Sequence, residues 1–153
     1  MKDLKELLMA HPFFQGMEEA HIELIAGCGK NEHFDEGSYL FKEGTPADYF
    51  YIIRQGHLAL ESTCPGKGAI ILETLHEDEV VGWSWLFEPY RWAYCGRAVH
   101  DCRVTALDGK CLREKCENDS ALGYELFNRF SKIIISRLHG SRLQILDLYK
   151  GKG

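Results

Sequence analysis

Residues 34–60 read FDEGSYLFKEGTPADYFYIIRQGHLAL, a stretch in which short apolar runs alternate with Gly37, Gly44 and Gly56. These interruptions come too often for helices, and each apolar run has the length of a typical strand. Glycine adopts positive φ without steric cost, which is what a tight turn between two strands requires. The stretch therefore predicts a compact all-β core.

Further β-prone runs extend this pattern towards residue 112. Together with the opening stretch, the runs cover residues 39–41, 49–53, 58–60, 69–75 and 103–107. Glycine and proline separate them, and the separator at 65–68 has the composition of a hairpin turn. Many short strands in series predict a β-sandwich, a jelly roll or a barrel.

Helical patterns flank the β-prone region on both sides. Before it, apolar residues recur at helical spacing around a break at residues 12–14, which predicts two short helices. After it, an apolar stripe with steps of three and four residues follows the N-cap types Asn118, Asp119 and Ser120. A helix of about thirty residues would be roughly 45 Å long.

Two interpretations of the long C-terminal helix stay open at this point. The helix packs against its own domain, or it forms the interface of a two-fold homodimer. In the second case, the residues that we expect to form the interface are Phe127, Phe130, Ile134 and Leu138.

Length and charge restrict the classes of function. A chain of 153 residues fits one domain, and its formal net charge of −5 is unusual for a nucleic-acid-binding protein. Four basic residues cluster late in the chain, at Arg129, Lys132, Arg137 and Arg142. We interpret them as the solvated face of the C-terminal helix.

The cysteine and histidine patterns predict no metal site. The six cysteines contain no C-x-x-C pair, and the seven histidines are scattered without a ligand-like pair. The N-terminus lacks the long apolar stretch of a signal peptide, and no apolar run is long enough to span a bilayer. We therefore expect a cytoplasmic protein with free, mostly buried thiols and no membrane association.

No common catalytic motif is present. The sequence lacks G-x-S-x-G, H-E-x-x-H and P-loop patterns, so we predict no enzyme activity and assign no catalytic residue.

One segment of the predicted β core has a more specific pattern. It reads GSYLFKEG at 37–44, followed by Ala47-Asp48, YII at 51–53 and Gly56. Together with HPFFQGM at 11–17, these residues resemble the cyclic-nucleotide-binding domain of catabolite-activator and Fnr-type regulators. The resemblance implies a mainly β fold, a jelly-roll-like β-roll (a double-stranded β-helix) with short N-terminal helices and a long C-terminal helix. It divides the chain into a helical segment at 1–30, the β-roll at 31–117 and the C-terminal helix at 118–150.

The resemblance also implies a ligand site in the segment VGWSWLFEPYRWA at 81–93. In the family, the corresponding cassette reads roughly G-E-x-(A/L)-L…R-(S/T)-A, and its backbone N–H groups and arginine bind the phosphate of a cyclic nucleotide. By this resemblance the ligand-binding residues are Gly82, Trp83, Ser84, Trp85 and Arg91, with Arg97 from the following strand. The implied effector is cAMP or cGMP.

Several of these residues have a purely structural alternative. An ion pair with a nearby carboxylate is an alternative role for Arg91, and for Arg97 it is the one we prefer. Ser84 is a candidate helix cap as well as a phosphate contact. The three tryptophans Trp83, Trp85 and Trp92 form either an aromatic platform for a base or part of a small core.

Trp83 departs from the family pattern because it occupies the position of the ribose-binding glutamate. A hydrogen-bond acceptor is replaced there by a bulky side chain whose polar group is a donor. Two functions therefore stay open. The first is a sensor module that binds a nucleotide or another small anionic effector and signals through the C-terminal helix. The second is a ligand-free β-roll that mediates dimerisation or protein interaction. Direct DNA binding is not expected, since no helix-turn-helix pattern follows the long helix.

Overall fold

The computed structural model describes residues 3–64, 66 and 68–150. It has a mainly β fold with flanking helices, as predicted. In chain order the elements are α1 (Leu4–Ala10), a 3-10 turn (Pro12–Phe14), α2 (Glu19–Ala26), β1 (Gly29–Phe34), β2 (Tyr39–Phe41), β3 (Tyr49–Gln55), β4 (Leu58–Cys64), β5 (Gly68–Leu75), β6 (Val80–Val81), β7 (Cys95–Ala98), β8 (Cys102–Asp108), α3 (Gly109–Asn118) and α4 (Ser120–Lys150).

The eight strands form two antiparallel four-stranded sheets, ordered β1-β8-β3-β6 and β2-β7-β4-β5. This is the predicted jelly-roll-like β-roll. Strands β4 and β5 pair as a hairpin with Cys64 opposite Gly68. The predicted turn between them includes Pro65 and Lys67, which lie outside the described residues.

The glycines that punctuate residues 34–60 adopt the conformations that the sequence predicts. Gly37, Gly44 and Gly56 have φ values of 85°, 82° and 93°. At Gly56 the requirement is also steric, because a Cβ there would clash with the carbonyl oxygen of Asp101. The turn between β3 and β4 is therefore packed directly against the turn between β7 and β8.

Some elements lack a clear sequence signal. Strand β1 (Gly29–Phe34) is mostly polar and contains no buried residue, because it pairs only with β8 and forms the edge of its sheet. Helix α3 (Gly109–Asn118) was included in the predicted β-roll segment. It begins where the carboxylate of Asp108 caps it by accepting a hydrogen bond from the Cys111 amide at 3.1 Å.

Strand β3 connects two hydrophobic clusters because its side chains alternate between the two faces of the sheet. Tyr51 and Ile53 point into the β-roll, where they join the inner cluster. Phe50 and Ile52 point towards the helices and pack in a second cluster with Trp85 and Phe130. The helices are thus attached to the roll by a continuous core.

Helix α4 changes character along its length. Its first turns bury Leu122, Leu126 and Phe130 against the domain, whereas residues 141–150 are all exposed. Phe130 is fully buried in its own chain, so its expected place in a dimer interface is wrong. Leu138, by contrast, is 51% exposed.

The expectation that all cysteines are free thiols is also wrong. Cys28, just before β1, forms a disulfide with Cys111 of α3, and their Cα atoms are 5.8 Å apart. Cys95, Cys102 and Cys116 are free thiols. Burial raises the pKa of Cys102, and burial with the Asp119 carboxylate raises that of Cys116.

Within the described ranges, none of the helices combines the length and the apolar character needed to cross a bilayer.

Candidate functional site

A cavity of about 1230 Å³ lies between the β-roll and α4. The roll contributes residues 80–84 and 92–94 together with parts of β2, β4 and β5, and the N-terminal region contributes residues 11–13. The opposite wall is α4, with Arg129, Lys132, Arg137 and Ser141 among its lining residues. The predicted cassette therefore faces the C-terminal helix across an open space.

Gly82 allows the cassette to pass close to the interior of the roll. Its φ is +98°, and a Cβ at this position would be 2.6 Å from the indole ring of Trp92. Trp92 is buried and stacks on Phe41 with 3.7 Å between ring centroids. Trp92 therefore fills the space inside the roll next to Gly82, and the free volume lies further towards α4.

Trp83 is half-buried, lines the cavity and contacts Arg137 of α4. The guanidinium carbon of Arg137 is 5.0 Å from the centroid of the indole ring. Nη2 of Arg137 also donates a hydrogen bond to the Val80 carbonyl at 2.6 Å. Burial lowers the pKa of Arg137, and the carboxylates of Glu73 and Glu79 oppose that shift. The guanidinium stays charged, because arginine side chains are not deprotonated in proteins.

Ser84 and Trp85 follow Trp83 but point to different environments. Ser84 lines the cavity. Trp85 is fully buried among the helices, with its ring stacked 5.3 Å from that of Phe50. Its Nε1 has no hydrogen-bond partner in the described part of the chain. Trp85 and Trp92 thus belong to the hydrophobic core, with Trp92 also reaching the cavity, and the half-buried Trp83 lines the cavity.

Arg91 of the cassette and Arg97 of strand β7 make contacts within the roll. Arg91 is exposed, and its Nη1 donates to the Gly44 carbonyl at 2.8 Å. Arg97 forms an ion pair with the buried carboxylate of Glu61, with Nη2 and Oε2 3.0 Å apart. Neither arginine is among the described residues that line the cavity. The structure therefore brings Gly82, Trp83 and Ser84 together at the cavity and places Trp85, Arg91 and Arg97 elsewhere.

Sequence reasoning missed the cationic groups of the cavity, which come from α4. Arg129 and Arg137 are partly buried, so their assignment to a solvated helix face is wrong, whereas Lys132 and Arg142 are exposed. Arg129 donates to the Phe13 carbonyl at 2.6 Å and to Glu125 at 3.1 Å. Arg129 and Arg137 are eight residues apart, a spacing that puts them on one face of a helix. This spacing was the sequence signal from which a shared environment could have been predicted.

The comparisons with known proteins identify the family of the chain. The model of the family "Cyclic nucleotide-binding domain" matches residues 31–119, which is more than half of the chain. The chain therefore belongs to the cyclic nucleotide-binding domain family.

Two relatives illustrate the similarity. A CRP-like cAMP-activated global transcriptional regulator of Mycobacterium tuberculosis is 22% identical over 145 residues, which cover 95% of this chain and 63% of the relative. The anaerobic regulatory protein of Bacillus subtilis is 26% identical over 128 residues, covering 82% of this chain and 52% of that protein. The chain thus spans between about half and two thirds of the length of these regulators.

Among solved structures, a candidate cyclic nucleotide-binding protein of Geobacter metallireducens has a similar fold. Its TM-score is 0.80 at 28% identity, and the match covers 91% of this chain and all of that one. The described strands and helices of the present chain therefore have a counterpart of the same extent in an experimental structure.

Proposed function

We propose that this chain is a regulatory sensor module that binds a small anionic, nucleotide-like effector in the cavity and signals through α4. The observation that carries the proposal is the position of the cavity. Cassette residues Gly82, Trp83 and Ser84 form one wall, and cationic side chains of α4 form the other. An effector in this space contacts the roll and the helix at once.

Arg137 is the residue best placed to link effector and helix. It is a desolvated cation that already contacts Val80 and Trp83 on the roll side of the cavity. A phosphate entering the cavity would form a charge-assisted hydrogen bond with this guanidinium and compete with both contacts. A ligand shifts a conformational equilibrium only if it binds the two conformations with different affinity. An effector that displaces these contacts of Arg137 would bind better to a conformation in which α4 has been released from the roll.

Cyclic AMP and cyclic GMP are the first candidates for the effector, because a relative is a cAMP-activated regulator. Trp83 removes the acceptor for the ribose hydroxyl that the family resemblance implies. Losing the partner of a buried hydroxyl weakens binding by about 1–3 kcal/mol. We therefore expect dissociation constants for these nucleotides in a weaker range than a glutamate at this position would provide.

Isothermal titration and thermal shift with cAMP and cGMP test this proposal, with inorganic phosphate as a minimal anion. We expect saturable binding that the Arg137→Gln variant weakens by about tenfold or more, as loss of a charge-assisted contact implies. Arg91→Gln is the matched control, because Arg91 bonds to Gly44 outside the cavity. The absence of any stabilisation by either nucleotide at millimolar concentration would reject the proposal.

A ligand-free dimerisation module is the second candidate, and the exposed apolar surface of α4 favours it. Leu138, Ile145 and Leu148 are 51%, 52% and 69% exposed. In either case we propose a homodimer formed through this surface. Sedimentation of Leu138→Asp tests it: we expect a monomer, with Lys132→Asp as a charge control on the same helix. An unchanged sedimentation coefficient for Leu138→Asp would count against the dimer.

We also propose a cytoplasmic location. The Cys28–Cys111 disulfide removes one of the arguments for it, since disulfides are rare in that compartment. The absence of enzyme activity and of direct DNA binding likewise stay predictions.

A further inference from the structure

Three histidines that are far apart in the sequence meet at one end of the β-roll. His57 lies in the turn between β3 and β4, His76 directly follows β5, and His100 lies in the turn between β7 and β8. The ring centroid of His57 is 4.8 Å from that of His76 and 5.7 Å from that of His100. The folded chain therefore creates a cluster of imidazoles that the scattered sequence positions do not show.

The spacing of these rings is that of metal-bound imidazoles. With zinc–nitrogen bonds of about 2.0–2.1 Å, two ligands at a tetrahedral angle have ring centroids about 5 Å apart. The two measured separations lie on either side of this value. In the present structure the nitrogen atoms of the three rings do not all lie within 4.8 Å of one another, so binding of a common ion requires the side chains to rotate.

The turns that carry the three histidines are held by hydrogen bonds. The Val99 amide donates to the His57 carbonyl at 3.0 Å, which joins the β3–β4 turn to the β7–β8 turn. The His76 amide donates to the Glu79 carboxylate at 2.6 Å. Positions that are fixed before a metal arrives lose little entropy on binding it.

A carboxylate lies next to the cluster. Oε1 of Glu36 is 3.5 Å from Nδ1 of His100, while Nε2 of the same ring is available to a metal. Metal-bound histidines commonly contact a carboxylate through their second nitrogen, which orients the ring and increases its basicity. Glu36 is therefore suitably placed as an outer partner of His100.

We propose that His57, His76 and His100 form a binding site for a divalent transition-metal ion such as Zn²⁺, with Glu36 as the supporting carboxylate. Three neutral imidazoles suit zinc, copper and nickel better than magnesium or calcium, which prefer oxygen ligands. A bound ion would connect three turns of the roll, and its stabilisation of the protein would grow with the logarithm of the metal concentration once that concentration exceeds the dissociation constant.

A neighbouring group, formed by His33, Asp35 and Asp101, is the alternative location for a cation. Its ligand atoms lie within 4.8 Å of one another, and all three residues are exposed. Two of its three ligands are carboxylates, so it is the less suitable site for an ion that prefers imidazole. The two locations share no histidine and can be separated by substitution.

Titration with Co²⁺, monitored by visible absorption, tests the proposal on protein without a polyhistidine tag. We expect a tetrahedral cobalt spectrum with nitrogen ligands, which Zn²⁺ displaces and His57→Asn abolishes. Glu36→Gln is expected to weaken binding by roughly tenfold or more, as is usual for an outer partner. His139→Asn, on exposed α4, and His33→Asn are expected to leave the spectrum unchanged.

Three outcomes of the cobalt titration overturn the proposal. They are the absence of saturable binding, a thiolate-to-cobalt charge-transfer band, and loss of binding in His33→Asn with retention in His57→Asn. Thermal unfolding of each variant without metal confirms that the fold is intact. Addition of Zn²⁺ is expected to raise the Tm of the wild type and of His139→Asn, and to leave that of His57→Asn unchanged. An equal rise in His57→Asn also overturns the proposal.

Discussion

Arg137 lies over the indole ring of Trp83, with its guanidinium carbon 5.0 Å from the ring centroid. Trp83 is the residue that replaces the family's glutamate, and Arg137 is the cation that α4 contributes to the cavity. The residue that departs from the family pattern is thus the same residue that contacts α4. A glutamate at position 83 would have offered this cation a carboxylate in place of an aromatic ring.

The first prediction concerns the strength of this contact. A double-mutant cycle with Trp83→Leu and Arg137→Met is expected to give a coupling energy of about 1–2 kcal/mol, because cation–π pairs are stronger when desolvated. Urea unfolding of the four proteins measures it. A second cation–π pair serves for comparison on the other side of the cassette. The guanidinium carbon of Arg113 lies 4.3 Å from the ring centroid of Tyr90. A coupling energy indistinguishable from zero for Trp83 and Arg137 would show that their proximity does not stabilise the protein.

A second prediction follows from the disulfide. Cys28 and Cys111 are 83 residues apart in sequence, so the bond restricts a long loop of the unfolded chain. We expect reduction to lower the free energy of unfolding by about 2–4 kcal/mol. Unfolding in the presence and absence of dithiothreitol measures this difference, and the Cys28→Ser, Cys111→Ser double variant should not respond to the reductant. If dithiothreitol lowered the free energy of unfolding equally in the wild type and the double variant, the effect would come from other cysteines.

The third prediction separates the structural role of Arg97 from ligand binding. The Glu61 side chain is 5% exposed, and Arg97 is its ion-pair partner at 3.0 Å. Arg97→Met leaves a buried carboxylate without its cation, so we expect a loss of about 3 kcal/mol. Adding Glu61→Leu should recover most of this loss, because both charges are then absent. The affinity for an effector in the cavity should be similar in the double variant and the wild type. A marked loss of affinity in the double variant would indicate that Arg97 belongs to the ligand site.

A fourth prediction concerns pH and the buried His11. Its Nδ1 accepts a hydrogen bond from the Phe13 amide at 3.1 Å, so Nε2 carries the proton that is donated to the Asp78 carbonyl at 2.6 Å. Burial, the main cause, lowers the pKa of His11 below its ordinary value. As the pH falls through about 6.5, the unfolded chain therefore binds a proton before the folded one does, and the free energy of unfolding decreases.

His11→Gln keeps a donor near the position of Nε2 but does not titrate. We expect its free energy of unfolding to decrease less than that of the wild type between about pH 7 and pH 5. Denaturant unfolding across this range measures the difference, with His139→Gln as the control at an exposed position. Parallel pH profiles for His11→Gln and the wild type would exclude His11 as a source of the dependence.

The sequence predicted the all-β core because its signals are local, and the family resemblance then specified the β-roll. Gly37, Gly44 and Gly56 mark turns whose geometry requires positive φ, and apolar strands such as β3 are recognisable without knowledge of their partners. Strand β1 was missed because it is polar, and what makes it a strand is its pairing with β8. The two strands are more than sixty residues apart in the sequence, so the residues of β1 alone do not indicate this pairing.

The site was harder to predict because it depends on contacts between distant segments. Residue types in the cassette indicated where Gly82, Trp83 and Ser84 lie, but not that Arg91 would turn towards Gly44. The partly buried cation comes from α4, where Arg137 reads like any charged residue of an amphipathic helix. The disulfide was missed for the same reason, since neither Cys28 nor Cys111 belongs to a recognisable spacing.

The disulfide also changes how the molecule would carry a mechanical load. The bond joins the residue before β1 to α3, so it encloses the strands of the β-roll in a covalent ring. When the chain is pulled between its N-terminal helix and the end of α4, force passes from α2 through the two sulfur atoms into α3 and bypasses the roll. The segment between the two cysteines, with a sequence separation of 83, then cannot extend, which shortens the stretched chain by about 280 Å at about 3.4 Å per residue. In the oxidised protein the strands of the β-roll, together with the histidine cluster, are shielded from tension applied through α4, whereas the wall of the cavity that α4 provides is not.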